Sequence, residues 1–294
     1  MFALNSLYSQ LLFSTVRIST KNYDGRIGSG TAYFFHLKLD DNQVVPILIT
    51  NKHVIENAIL GEFLVHEAMM DKNDNKLAPS GKSCRIVFEK DFHKEWHLHP
   101  NKNVDLCAML FQPLKTKAEQ QDKQLYYTPL DETLIPNEKT ISELSAYEEV
   151  TMVGYPIGLW DEIKNLPLIR KGGTALHPIA NFQNQPIGIL DIAAFPGSSG
   201  SPVFIVNEGS YSTSKGIHIG SRLMFIGTQF AAPNYTAEGK IEIREIPTAL
   251  APIVTTQNFI HLGYYIKSSE ILTLKTHIFN SLGLSLLQVG HHDT

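Results

Sequence analysis

Ser199, His53 and Asp105 are the residues of this sequence whose types could together open an acyl bond. A serine hydroxyl is a weak nucleophile, so it needs a base to take its proton and a carboxylate to orient that base. Ser199 lies in Pro196-Gly197-Ser198-Ser199-Gly200-Ser201-Pro202, which runs straight into the apolar stretch Val203-Phe204-Ile205-Val206. A serine between glycines in a tight turn that feeds a strand keeps its hydroxyl exposed while backbone N–H groups converge beside it. The same residue types are also the commonest turn formers, so the stretch taken alone equally reads as a plain loop.

The base and its partner have their own settings upstream. Pro46 to Thr50 reads as a strand that ends in a polar turn carrying His53, and Val104-Asp105-Leu106-Cys107-Ala108-Met109-Leu110 puts an acid at the head of an apolar strand. Asp91 is the nearest rival acid, but no apolar strand follows it. In this arrangement Asp105 accepts a hydrogen bond from one imidazole nitrogen of His53, fixes its tautomer and stabilises the imidazolium. The turn that exposes Ser199 also supplies an oxyanion hole, in which the N–H groups of Gly197 and Ser199 point at the developing negative oxygen. His93, His97 and His99 have spacings that could ligate zinc, but Lys94, Trp96, Pro100 and Asn101 make the segment an irregular loop with no fourth ligand. No metal and no cofactor is expected.

In the order His, Asp, Ser, at separations of 52 and then 94 positions, the sequence resembles the trypsin-like (chymotrypsin-fold) serine peptidases, in particular their bacterial stand-alone and HtrA-like branches. Ile27 to Phe35 looks like the glycine-serine-glycine hairpin before the histidine strand. Val150 to Gly158 looks like the first strand and turn of the second barrel, and Gly263 to Ile266 followed by Ser268 to Leu282 like the last strand and closing helix. The resemblance implies an all-β fold of two six-stranded antiparallel barrels, with the active site between them and a C-terminal helix. It divides the chain into a first barrel over 1–114, a connection over 115–145, a second barrel over 146–270, and a helix and tail over 271–294.

Two further expectations come from the resemblance. The primary specificity pocket would be floored by Ala193, six residues before the nucleophile, and walled by Phe230, Ala231 and Ala232 on one side and Gly263 on the other. Without an acid at its floor, such a pocket takes a small or medium apolar side chain on the acyl side of the cut, although Asp191 lies two residues away. Maturation by a newly cut N-terminus needs an aspartate immediately before the nucleophile. Ser198 stands there, so activity without trimming is expected.

Composition narrows the partners. A chain of 294 residues can bury two cores, and a net charge of -4 without any basic run gives no footprint for nucleic acid. Only Cys84 and Cys107 occur, and both read as packing residues in a reducing, cytoplasmic compartment rather than as a disulfide. Polar residues interrupt the first twenty positions, which do not read as a signal peptide, and no run is long enough to span a membrane. Leu4 to Phe13 reads as a short amphipathic helix on the barrel surface.

The function expected is therefore a serine endopeptidase acting on protein or peptide substrates, restrained by narrow specificity or by a regulatory protein partner. The alternative from another class is a catalytically silent barrel used for protein binding. An esterase with the same three residues would more often present Gly-x-Ser-x-Gly, and Gly197-Ser198-Ser199-Gly200 lacks that spacing.

Overall fold

The computed structural model describes residues 5–71, 75–213, 216–240, 253–259 and 261–284, for 234–240 and 253–259 the backbone only. The first half holds α1 (Leu7–Leu11), β1 (Thr15–Asn22), β2 (Ile27–Lys38), β3 (Val44–Thr50), α2 (Lys52–Ile55), β4 (Ala58–Met70), β5 (Leu77–Phe88), β6 (His97–Leu98) and β7 (Cys107–Leu110). α3 (Gln112–Glu119), β8 (Leu125–Tyr126), β9 (Leu130–Asp131) and α4 (Glu138–Ser142) follow. These strands make a nine-stranded sheet in the order β5-β4-β1-β2-β3-β7-β6, with β8 beside β4 and β9 beside β2. The stretch 115–145 is thus more than a tether, because two of its segments add to the first sheet.

The second half contains β10 (Glu149–Gly154), β11 (Leu168–Thr174), β12 (Ile187–Asp191), β13 (Pro202–Asn207), β14 (Ser210–Thr213), β15 (Gly216–Ile219) and β16 (Arg222–Ala231). β17 (Asn234–Lys240), β18 (Ile253–Phe259), β19 (Leu262–Lys267) and α5 (Glu270–Ser281) complete it. Six of these strands close a barrel, β10-β11-β12-β19-β16-β13, while β14 with β15 and β17 with β18 form separate two-stranded ribbons. The expected all-β architecture with a C-terminal helix is present: the second half is a closed six-stranded barrel, and the first half, where six strands were also expected, is a sheet of nine.

Strand periodicity explains how the halves join. Successive side chains of a strand point to opposite faces, and strands covered on both faces read as continuous apolar runs. Ala32, Phe34 and Leu48 pack with Phe63, Trp96, Cys107 and Met109 inside the first sheet, whereas their neighbours Tyr33, Phe35, Ile47 and Ile49 face a different core. That second core takes Phe204 and Val206 from β13 and Phe225 from β16, while Val203 and Ile205 turn into the barrel interior with Met152, Leu190 and Tyr265. Helix α5 seals the shared core with Ile271, Leu274, Ile278 and Phe279, all fully buried on one helical stripe. Each such side chain contributes roughly 1.5–3 kcal/mol of burial. One apolar layer therefore fixes the two halves against each other, and the cleft between them has a set geometry.

Cys84 and Cys107 are both buried free thiols, and burial pushes the Cys107 thiol up. Among the described residues no helix is long and apolar enough to cross a membrane.

Candidate active site

Strand β3 ends at Thr50, and the chain turns at Asn51 into α2, whose second residue is His53. Asn51 occupies the N-cap position, but its side chain turns away from the helix and donates from Nδ2 to the Asp105 carbonyl at 2.7 Å. That bond pins the segment leading into β7. The Asp105 carboxylate then reaches back: Oδ1 accepts from the His53 backbone N–H at 3.1 Å, and Oδ2 lies 2.5 Å from His53 Nδ1. Both carboxylate oxygens are engaged, so ring and backbone of His53 are held by one acid.

Phe195 to Ser198 form a turn closed by Ser198 N–H on the Phe195 carbonyl at 2.9 Å, with Pro196 second and Gly197 third. Gly197 has φ +85, the conformation that the third position of a type II turn demands and that proline before it favours. The Pro196 carbonyl accepts from the Ile157 N–H at 2.5 Å. In a trans peptide the C=O and the following N–H point in opposite directions, so the Gly197 N–H faces away from Ile157. Ser198, Gly200 and Ser201 spend their N–H groups on Phe195, Gln229 and Ser198 carbonyls. Among the described residues neither the Gly197 nor the Ser199 N–H has a protein acceptor, and these are the two expected to form the oxyanion hole.

Thr31 locks this turn to the other half of the molecule. Its N–H donates to the Ser199 carbonyl at 2.9 Å and its Oγ1 to the Gly197 carbonyl at 3.0 Å, while Tyr155 N–H donates to Oγ1 at 3.2 Å. Thr50 Oγ1 in turn donates to the Thr31 carbonyl at 2.6 Å. The approach is so close that a Cβ on Gly200, itself at φ +86, would stand 1.9 Å from the Thr31 carbonyl oxygen.

His53, Gly197 and Ser199 line one cavity of about 330 Å³, together with Gly28, Ser29 and Val54. The Ser199 hydroxyl donates to the Phe230 carbonyl at 3.4 Å, and among the described residues no hydrogen bond joins it to His53. A larger hollow of about 810 Å³ between β5 and α3 contains none of these residues.

Of the pocket residues expected from the sequence, Phe230 thus touches the nucleophile. Ala231 pairs with Tyr264 across a bulge in β16 and accepts from the Gln229 side chain at 2.9 Å, and Ala232, just beyond the strand, is half-buried. Gly263 pairs with Leu190, and a Cβ there would meet Ala194 at 3.4 Å and Gln229 at 3.7 Å. The Ala193 carbonyl accepts from Arg170.

Arg170 is a residue that the sequence did not flag. Its Nη2 also donates to the fully buried Ser198 Oγ at 2.7 Å, and burial pulls its guanidinium down to about 10. Asn51 and Thr31 were likewise not singled out. The histidine cluster goes to three separate partners: His93 to the Ala58 carbonyl at 3.0 Å, His97 to Ser281 at 3.4 Å and His99 to Glu270 at 3.3 Å. Among the described residues no three His, Cys, Asp or Glu side chains are grouped to hold a metal ion.

No family model and no curated protein matches the chain. Two of the solved structures that resemble it do so along most of its length. One is the Rv3671c protease from M. tuberculosis in its active form, at 12% identity and a TM-score of 0.41, covering 97% of this chain and 87% of that one. The other is the thermostable serine protease AL20 from an extremophilic microorganism, at 10% identity and a TM-score of 0.41, covering 91% of this chain and 97% of that one. Likenesses of this size carry no assignment of activity, which rests on the site itself.

Proposed function

We propose that the chain is a serine endopeptidase of the trypsin-like kind, hydrolysing peptide bonds through an acyl-enzyme. The observation that carries this reading is the clamp of Asp105 on both the backbone and the Nδ1 of His53, in a cleft shared with Ser199 and two unengaged N–H groups. With Nδ1–H given to Asp105, Nε2 is the imidazole atom left to accept a proton. Ser199 Oγ attacks the scissile carbonyl, His53 Nε2 takes its proton and returns it to the leaving amine, and Asp105 stabilises the intervening imidazolium. The Gly197 and Ser199 N–H groups receive the oxyanion. Water then repeats the cycle on the ester.

For the hydroxyl to bond to His53 it must leave the Phe230 carbonyl. No metal or cofactor enters this chemistry, and the two buried thiols fit a reducing, cytoplasmic compartment. A regulatory protein partner or a narrow specificity would hold such an enzyme in check there. The resting contact of Ser199 with Phe230 favours the second reading, a silent module used for protein binding. Turnover of a mixed peptide library by the purified chain, with Ser199→Ala and His53→Ala as controls, separates the two. Cleavage lost in both variants supports the peptidase; cleavage absent from the parent, or retained in the variants, rejects it.

A further inference from the structure

Gln229 lies back to back with the nucleophile turn. Its N–H donates to the Ser201 carbonyl and its carbonyl accepts from the Gly200 N–H, both at 2.9 Å. On the neighbouring strand it stands opposite Tyr265, and Gly263 shares the face of Tyr265 two residues away. The three positions therefore lie on one face, along which the Tyr265 ring extends over Gly188 of β12 and ends with its hydroxyl beside that second glycine. Gly263 contributes no atoms there, and Ala194, Ile192 and the Gln229 amide bound it, with nearest atoms 3.4, 3.6 and 3.7 Å from where a Cβ would be.

Two polar atoms on this face have no partner among the described residues. Gln229 is 2% exposed; its Nε2 donates to the Ala231 carbonyl, and Oε1 is left without a donor. The amide cannot simply be turned over, because the Ala231 carbonyl accepts only from an N–H. Tyr265 is 1% exposed, and its Oη is the second unpartnered atom. A buried polar group left unmet costs about 1–3 kcal/mol, so two of them on one face, one beside Gly263 and one beside Gly188, are disfavoured unless a ligand meets them.

The chemistry of the slot excludes most side chains. An apolar one would leave both atoms unmet, and a carboxylate would face the oxygen of Gln229. Lys or Arg would bring a second cation toward the buried Arg170 guanidinium, which lies against the Ala193 carbonyl and Ser198 and, among the described residues, has no carboxylate partner. A carboxamide offers an NH₂ donor and a carbonyl acceptor at once.

We propose that the slot beside Gly263 is the acyl-side specificity pocket and that it selects glutamine or asparagine, whose NH₂ donates to Gln229 Oε1 and whose carbonyl accepts from Tyr265 Oη. This rests on the peptidase reading. It differs from the apolar preference expected from Ala193, Phe230 to Ala232 and Gly263, because Gln229 is the residue that adds a polar wall.

The test is a set of otherwise identical quenched-fluorescent peptides carrying Gln, Asn, Leu, Met, Lys or Glu on the acyl side of the cut. It is run with the full chain, Gln229→Leu and Tyr265→Phe. In the parent, Gln or Asn should exceed Leu and Met by at least about tenfold in kcat/KM, the size of discrimination one buried hydrogen bond supplies. Gln229→Leu should reverse that order, and Tyr265→Phe, which keeps the ring, should narrow the ratio several-fold. Leu, Met, Lys or Glu leading in the parent overturns the proposal whether or not either variant folds. An unchanged order in soluble Gln229→Leu overturns it too. A parent that cleaves none of the peptides and leaves Ser199 unreactive to a fluorophosphonate overturns the peptidase reading itself, a different outcome from cleavage with the wrong preference.

Discussion

Thr31 Oγ1 donates to the carbonyl of Gly197 at 3.0 Å, joining the strand before the histidine to the turn that carries the nucleophile across 166 residues of chain. Together with the Thr31 N–H on the Ser199 carbonyl, it grips that turn on either side of Ser198. The N–H groups left over are those facing the cleft. Thr31→Val keeps the shape and the backbone bond but removes the hydroxyl. We expect a loss of about 1–3 kcal/mol in stability from the unmet carbonyl, and a fall of tenfold or more in kcat with a smaller change in KM. Thr31→Ser should restore both. Equal kinetics for Thr31→Val and parent would remove Thr31 from the account.

A second prediction concerns backbone that only glycine can adopt. Gly197→Ala places a Cβ at φ +85 and 2.5 Å from the Tyr155 carbonyl, so the turn must shift and the oxyanion donor with it. Loss of one such donor costs about 10²–10³ in kcat. Gly200→Ala meets the Thr31 carbonyl at 1.9 Å, and there we expect loss of the fold itself, read as a lowered Tm or insoluble protein. A soluble, fully active Gly197→Ala enzyme would contradict the turn geometry.

Asn51 carries the third. Asn51→Ala frees the Asp105 carbonyl that its Nδ2 holds at 2.7 Å, and the acid loses its anchor without losing its charge. The expected result is a ten- to hundredfold fall in kcat, about 1–3 kcal/mol, with the fold retained. Unaltered turnover would show that Asp105 is positioned by other contacts.

A fourth prediction is the acid sensitivity of the fold. His66 is buried with its ring edge-on to Phe13 at 4.8 Å, and burial holds it below its ordinary value of 6.5. Between the lowered folded value and 6.5 the unfolded chain binds a proton that the folded chain does not, so stability rises with pH through that window. It is whole above 6.5 and lost as the pH falls below it. Burial lowers His36 in the same sense. Urea melts at pH 7.5 and 5.5 should show the loss, and His66→Gln should reduce it; an identical acid loss in the variant would assign it elsewhere.

The residues expected to react were legible because their types are uncommon in their settings: a serine between glycines ahead of a strand, a histidine just past one, an acid at the head of another. Strand β3 is legible from Pro46 to Thr50, where an apolar run leads into the turn, and Val44 and Val45 extend it by two residues. Ala78-Pro79-Ser80 has the composition of a turn, yet Leu77 to Pro79 pairs with the end of β4, with Pro79 opposite Ala68. β5 is the edge of the sheet, where a proline facing outward forfeits no ladder bond, so the turn-forming residues there misled. Thr31, Asn51 and Arg170 were missed for a different reason. Each acts by a side-chain bond to a residue 166, 54 or 28 positions away, and such a bond leaves no periodic trace in the chain. The signals available were faint: Thr31 directly after Gly28-Ser29-Gly30, and Asn51 directly after the apolar strand. Part of the expected C-terminal helix and tail, 285–294, lies outside the described residues.

Whether Ser199 is an activated nucleophile is read by intact-mass spectrometry after brief exposure to a fluorophosphonate. A hydroxyl without a base does not react with such a probe on this timescale. One adduct per chain is expected, mapped to Ser199, absent in Ser199→Ala and strongly slowed in His53→Ala. A chain that remains unlabelled, or one whose label persists in Ser199→Ala, would contradict it.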